Sequence, residues 1–281
     1  MGHKATTNNA ISQVRDFWQE AACGEKQLLH SLDRQGFDNQ AAERYRLEPY
    51  ILDFAKFDDW REKRVLEIGV GLGADHQRFV ESGAITTGID LTPRAIELTK
   101  HRLQVFNLTS DLFIANVENL DLPSDEFDLV YSWGVIHHSP DTQVAVHQIR
   151  KVLKPGGTAR VMIYNKWSIV GLMLWLRYGL LRMRPFTPLK KIYSNYLESP
   201  GTKAFSVREA RALFSGFDDV NITTMLSHGD LLTSGAGQRH EGALLNVARH
   251  IWPRRFIARF LPRRGLFMMI DAKKPAELHV S

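Results

Sequence analysis

The chain has 281 residues, 44% of them hydrophobic, and a formal net charge of +5. That length and apolar content exclude a disordered chain and allow one large domain with additions, while so modest a charge does not demand a polyanionic partner. The single cysteine, Cys23, excludes an internal disulfide or a cysteine-built zinc site and suits a reducing, cytoplasmic setting; as a small apolar thiol it is expected to be buried.

The opening "MGHKATTNNA" is polar and lacks the apolar run of a secretory leader. Gly2 with Thr6 matches an acylation pattern, which matters only in a host that has the acylating enzyme. From Ile11 to Trp60, apolar positions three and four apart in "VRDFWQEAA" and "AERYRLEPYILDFAKF" predict helices, so residues 1–60 are expected to form a helical cap.

After Arg64 the texture changes. Short apolar runs, "RVLEIG", "ITTGID", "SDLFIAN", "FDLVYSW" and "GTARVMIY", alternate with stretches long enough for crossover helices. This predicts a doubly wound, Rossmann-like α/β domain over 61–281, with a mostly parallel sheet. "DDVNITTML" and "RGLFMMIDA" bring the sheet to seven strands, the last as an antiparallel edge strand. Two intervals, about 165–203 and 227–264, read as cap insertions. The most apolar segment, 167–181, is shorter than the roughly 20 residues a bilayer span needs, and it contains Arg177.

"RVLEIGVGLGADHQRF" carries the first chemistry. Gly69, Gly71 and Gly73 let the backbone turn sharply out of a strand, and the helix that follows offers free amides to an anionic group. Gly69, Gly71 and Ala74 with Asp90 also satisfy a dinucleotide fingerprint, which keeps a nicotinamide-linked oxidoreductase in view. Glu67 decides between them, because a buried acid beneath the turn works against a pyrophosphate and suits a ligand bearing an ammonium or sulfonium. S-adenosylmethionine has both; the competing reading of Glu67 is an exposed carboxylate at a strand end.

Four stretches in order, "VLEIGVGLG", "GIDLTPRAIELTK", "NVENLDLPSDEFDLVYSWGVIHHSPD" and "IRKVLKPGG", resemble the class I S-adenosylmethionine-dependent methyltransferases, in the small-molecule, type 11 and quinone-biosynthesis-like branch. The resemblance covers about Arg64 to Tyr164. It implies that Glu67, Gly69, Gly71 and Gly73 hold the methionine end of the cofactor and that Asp90 grips the ribose, with Leu91 beside the adenine. Asn116 and Val117 fall where the adenine amino group is read, although the family more often has Asp at the first of these. Trp133 lies in the turn beside the cofactor. The outer segments "ERYRLEPYI" and "ESPGTKA" are similar to a bacterial subgroup without an assured substrate.

His137 and His138 follow the fourth strand, whose end points into the ligand crevice, and imidazole titrates near neutrality. His137 stands ahead of His138 as a candidate base, while "HHSPD" reads equally as a loop and helix cap built on Ser139 or Asp141. Tyr45 and Tyr50 recur at helical spacing and are candidates for catalysis and acceptor binding respectively; ordinary aromatic packing is the alternative. Tyr164, Asn165, Tyr196 and Lys203 are candidate acceptor contacts, and Phe17 and Trp18 are candidates to close the cofactor's open side. His76, His228 and His240 are read as surface or structural residues. No oxygen-rich ligand set is recognisable, so no metal is expected.

The expected partner is a small molecule. The acid-free "RHIWPRRFIARFLPRR", together with the first insertion, offers a peripheral contact with an anionic membrane and a lipid- or quinone-like acceptor. A buried cap, a homodimer contact and a solvated basic face are the alternatives. Nucleic acid is disfavoured, since "YSWGVIHH" lacks the Asn-Pro-Pro-aromatic pattern of base amino methyltransferases. A cofactor-binding module without turnover is a further reading.

Overall fold

The computed structural model describes residues 2–233 and 250–276, with side chains from residue 9 onward. His240 and the part of the second insertion at 234–249 therefore lie outside the described residues. Helices α1 (Gly2–Glu20), α2 (Glu25–Leu28), α3 (Arg34–Leu47) and α4 (Tyr50–Ala55) precede the first strand.

The strands are β1 (Arg64–Ile68), β2 (Ile85–Asp90), β3 (Asp111–Ile114), β4 (Phe127–Trp133), β5 (Leu153–Tyr164), β6 (Asp218–Met225) and β7 (Phe267–Lys273). They form one sheet in the order β3-β2-β1-β4-β5-β7-β6, parallel except that β7 runs antiparallel to both β5 and β6. The antiparallel strand is therefore one place in from the edge, and β6 forms the edge. The reason is visible in burial: "FMMIDAK" has no exposed position before Lys273, whereas "DDVNITTM" has no fully buried one and mixes exposed with half-buried positions, as a strand open to water on one side does.

Alternating side chains divide the core into two layers. Leu66 and Ile68 of β1, the even-numbered Met268 and Ile270 of β7, and Val161 and Ile163 of β5 face α7 (Thr142–Val152) and α10 (Val207–Leu213). On the other face Val65, Leu129 and Tyr131 pack against α3, α4 and α5 (Ala74–Glu81). Met162 and Tyr164 meet α8 (Ile169–Tyr178) and α9 (Leu189–Tyr196) there.

Caps start the helices where the sequence supplies them. Thr92 Oγ1 accepts from the Ala95 amide with Pro93 in the first turn of α6 (Pro93–Val105), and the Asp141 carboxylate accepts from Gln143 and Val144 at the start of α7. Arg102 of α6 is buried without a carboxylate partner. It donates to Gln77, Gln40 and the carbonyls of Leu72 and Phe37, tying α3 to α5 and to the glycine turn, and burial lowers its pKa to about 10. Strand order reverses between β1 and β4, each pairing away from the other's next neighbour, and the crevice at that point receives the loops that carry the site.

Candidate active site

A cavity of about 940 Å³ opens at the carboxyl ends of β1, β2, β4 and β5. Its β1 side is the glycine turn. All three glycines have positive φ, 84° at Gly69, 54° at Gly71 and 74° at Gly73. A Cβ at Gly69 would meet Val135 at 2.2 Å and one at Gly73 would meet Thr99 at 2.9 Å, whereas one at Gly71 would meet nothing within 4 Å. The outer glycines are thus fixed by packing as well as by φ, and Gly71 leaves a bare-backbone cradle on the cavity.

Asp90 ends β2 beside that cradle. Its Oδ1 accepts from the Thr92 amide and hydroxyl, each at 2.9 Å, while Oδ2 takes only a 3.3 Å contact from the Gly71 amide. One oxygen is anchored and the other is available to a ligand. Burial pushes this carboxyl upward, and the Thr92 and Gly71 donors pull the other way.

Glu67 also borders the cavity and is only 3% exposed, so it is not a solvated strand-end acid. Its Oε2 lies 3.0 Å from His76 Nδ1, and His76 Nε2 is 2.8 Å from Ser110 Oγ. Burial, then the charge of Asp75, raises Glu67 well above the usual carboxylate range, and burial lowers His76 to about 4. The contact is therefore a hydrogen bond sharing one proton and not an ion pair; His76 is structural, as its sequence context suggests.

Asp75 is the adjoining fixed anion. Arg44 grips it through Nε to Oδ1 at 3.0 Å and Nη2 to Oδ2 at 2.6 Å, and the Tyr45 and Tyr131 hydroxyls each donate to it at 3.0 Å. Burial opposes the charge, but Arg44 and the two hydroxyls hold the carboxyl below its ordinary value. Tyr45, a sequence candidate for catalysis, is committed to this contact and does not border the cavity; burial and Asp75 drive its hydroxyl far upward.

On the β4 side Trp133 borders the cavity and donates from Nε1 to Glu48 Oε2 at 3.1 Å. Burial pushes Glu48 up to about 7 against the pull of Arg44. Leu91, Asn116 and Val117 line the β2 and β3 side. Asn116 Oδ1 already accepts from the Glu118 amide at 3.0 Å, so this oxygen retains one lone pair for a ligand.

Of the two adjacent histidines, the structure places His138, and not His137, on the cavity wall. His138 Nδ1 lies 2.8 Å from Ser199 Oγ and 3.1 Å from Thr202 Oγ1. Thr202 spends its hydroxyl proton on the Ser199 carbonyl at 2.6 Å, so toward His138 it can only accept, which places the ring proton on Nδ1. Nε2 is left with its lone pair, 3.3 Å from Glu198 Oε2, which also accepts from the Tyr164 hydroxyl at 2.7 Å. Burial raises Glu198, yet His138 in its protonated form, donating from Nε2, and the Tyr164 hydroxyl outweigh it and hold the carboxyl low. His137 packs its ring 3.9 Å from Tyr164, both of its nitrogens are buried without a hydrogen-bond partner, and burial keeps it neutral. Among the described residues, His137, His138 and Glu198 are a group whose ligand-type atoms lie within 4.8 Å of one another.

Tyr164 borders the cavity, as do Phe17 and Trp18 of α1, with Trp18 edge-on to His138 at 5.3 Å between centroids. The remaining acceptor candidates do not border it. Tyr50 stacks on Trp133, Asn165 bonds Gly265 and Trp167 in a buried turn, and Tyr196 stacks on Tyr178 at 3.9 Å. Lys203 donates to the carbonyls of Ser139 and Pro140, closing the loop after His138.

Sequence reasoning missed Glu48, Glu198 and Arg44, and it set His228 aside although that ring borders the cavity 3.9 Å from Glu48. Glu198 had one signal: it ends a stretch from Asn165 to Leu197 with no other acid. Cys23 is exposed rather than buried, but to the cavity; burial, then Glu198 and Glu48, push the thiol up to about 12.

A profile for a methyltransferase domain matches residues 66–161. A demethylmenaquinone methyltransferase of Tropheryma whipplei is 27% identical over 169 residues, 55% of this chain and 70% of that protein. A ubiquinone biosynthesis O-methyltransferase of Coxiella burnetii is 28% identical over 115 residues, 39% of this chain and 49% of that protein. An uncharacterised Mycobacterium tuberculosis protein is 31% identical over 125 residues, 44% of this chain and 43% of its own, so the chain spans less than half of that relative's length. Among solved structures, a Haemonchus contortus phosphoethanolamine N-methyltransferase 2 bound to phosphomonomethylethanolamine and S-adenosylhomocysteine shares the fold, with a TM-score of 0.58 at 16% identity over 93% of this chain and 60% of that one. So does the putative methyltransferase in complex with the Haloferax volcanii Trm112 activator, at 0.54 and 18% over 88% and 99%. Residues 66–161 thus match the methyltransferase-domain model, and the sheet has the Rossmann-like fold of the solved methyltransferase structures.

Proposed function

We propose that this chain transfers a methyl group from S-adenosylmethionine to a small organic acceptor. The observation that carries the reading is the bare Gly71 cradle and the half-engaged Asp90 carboxylate facing one cavity, with Glu67 at its β1 side. The donor set fits the ligand: free amides for a carboxylate, the acceptor oxygens of a neutral Glu67 for an ammonium, an aspartate for ribose hydroxyls and the apolar Leu91 and Val117 for a base. When bound, S-adenosylmethionine supplies a methyl on a sulfonium, open to in-line displacement.

The chain's own work is alignment, exclusion of water and removal of a proton. Phe17 and Trp18 cover the cavity, and Tyr164 holds Glu198 in place. His138 Nε2 takes the proton of an acceptor hydroxyl or amine, and the resulting imidazolium pairs with Glu198 while Ser199 and Thr202 hold the Nδ1 proton. His138 thus replaces His137 as the base, and Glu48, Tyr164 and Glu198 border the acceptor side. A cytoplasmic setting keeps Cys23 reduced.

A second reading makes the acceptor lipid- or quinone-like and meets it at a membrane surface. The apolar wall formed by Val170, Met173, Leu174 and Leu197 favours it, as do the names of the quinone-pathway relatives.

Calorimetric titration with S-adenosylhomocysteine tests the cofactor assignment. The wild-type chain binds, and Asp90→Ala weakens binding by about 3 kcal/mol through loss of charge-assisted contacts. Unchanged affinity in the variant, or protection against melting by NADH and not by S-adenosylhomocysteine, overturns it. Labelled donor incubated with host metabolite extract then identifies the acceptor.

A further inference from the structure

We propose that the first insertion is a membrane-docking face that seats on an anionic phospholipid surface, with α8 standing between the bilayer and the cavity. From Asn165 to Leu197 the chain holds six Lys and Arg residues and no acid. Helix α8 has two working sides. Val170, Met173, Leu174 and Arg177 border the cavity, whereas Leu172 and Leu176 point outward, 55% and 39% exposed. The outward stripe continues into the turn beyond the helix, where Leu181 is 70%, Met183 89% and Phe186 96% exposed.

Single exposed apolar residues are ordinary on a protein surface, but a run of large ones along one helix and its following turn is not. Cations frame it. Arg182 lies over the rings of Tyr178 and Tyr196, at 5.0 and 5.8 Å, which holds its guanidinium at the rim, and Arg184, Lys190 and Lys191 are exposed nearby.

Charge selects the occupant. A second copy of this chain meeting the same face would set Arg182, Arg184, Lys190 and Lys191 against the same four cations. A nucleic acid would satisfy the cations and leave Leu181, Met183 and Phe186 in water. An anionic bilayer answers both features, taking the apolar tips among its acyl chains and the cations at its headgroups. The docking stands on this surface alone. Its use rests on the methyltransferase reading: an apolar acceptor reaches the cavity past α8 without crossing water.

The test is flotation of the full chain, without donor, on phosphatidylcholine vesicles with and without about one third phosphatidylglycerol. The wild type floats with the anionic vesicles at low ionic strength and is released at about 0.5 M salt. Leu181→Ser/Met183→Ser/Phe186→Ser lowers partition at least tenfold. Arg184→Gln/Lys190→Gln/Lys191→Gln lowers it about fivefold per charge. Both variants keep the wild-type melting temperature and S-adenosylhomocysteine affinity, so a loss of docking is separable from misfolding and from failure of the cofactor assignment. The proposal is overturned if the wild type stays with the unbound fraction, if the serine variant floats as the wild type does, or if that variant only turns a dimer into a monomer in sedimentation.

Discussion

Two buried polar clusters flank the cavity, and they are built on opposite terms. Around Asp75 each carboxylate oxygen has two donors, and the one negative charge is met by Arg44. Around His138 the supply falls short: Nε2 keeps a free lone pair, and both nitrogens of His137 are unpaired. Buried polarity without partners is costly, so a satisfied cluster holds a fold together, while an unsatisfied one beside a cavity is kept for what enters it.

The hardest blow to this contrast is Asp75→Ala. It strands Arg44 and two tyrosine hydroxyls between α3, α5 and β4, and the expected loss is about 3–5 kcal/mol in chemical denaturation. A loss near zero would mean that Asp75 is not a structural anchor.

His138→Gln is expected to leave stability and S-adenosylhomocysteine affinity near wild type while lowering turnover on a hydroxyl or amine acceptor about a hundredfold, or about 3 kcal/mol of barrier. Equal losses in affinity and turnover would move His138 from proton removal to ordinary packing.

Glu48 sharpens the comparison through pH. Its folded pKa is raised, so the folded state binds more protons than the unfolded state between about pH 4.5 and 7, and stability falls as pH rises through that window. Glu48→Gln removes the fall, and urea melts of the variant at pH 8 should exceed the wild type by about 1–2 kcal/mol. A variant curve parallel to the wild type would contradict this.

The smallest effect belongs to His137→Phe. An apolar ring of similar shape removes two unpaired nitrogens, so stability should change by less than about 1 kcal/mol with turnover retained. Abolished turnover, restored in the wild type alone by zinc after chelation, would instead make His137, His138 and Glu198 a metal centre.

The part of the cavity proposed for the donor is legible in the sequence because it is local. Glu67, the three glycines and Asp90 fall within one strand, one turn and the next strand, where spacing alone brings them to a single crevice. The part proposed for the acceptor is not. Glu198 reaches His138 from an insertion some sixty positions on, and Glu48 comes from the end of α3, so neither has a periodic signature. Tyr45 shows the same limit: its helical spacing is plain, but its commitment to Asp75 follows only from packing α3 on α5. All seven strands follow from their apolar runs. The place of β7 does not, since an antiparallel strand can sit beside an edge or fill a gap.

It fills a gap, and that governs the order of assembly. β5 and β6 cannot touch until the last strand slides between them, so a ribosome-bound chain carries two open ladder edges until residues near 273 emerge. Removing only Phe267–Lys273 should therefore yield a chain that forms the glycine turn, sticks to its neighbours through those edges and aggregates before it can work.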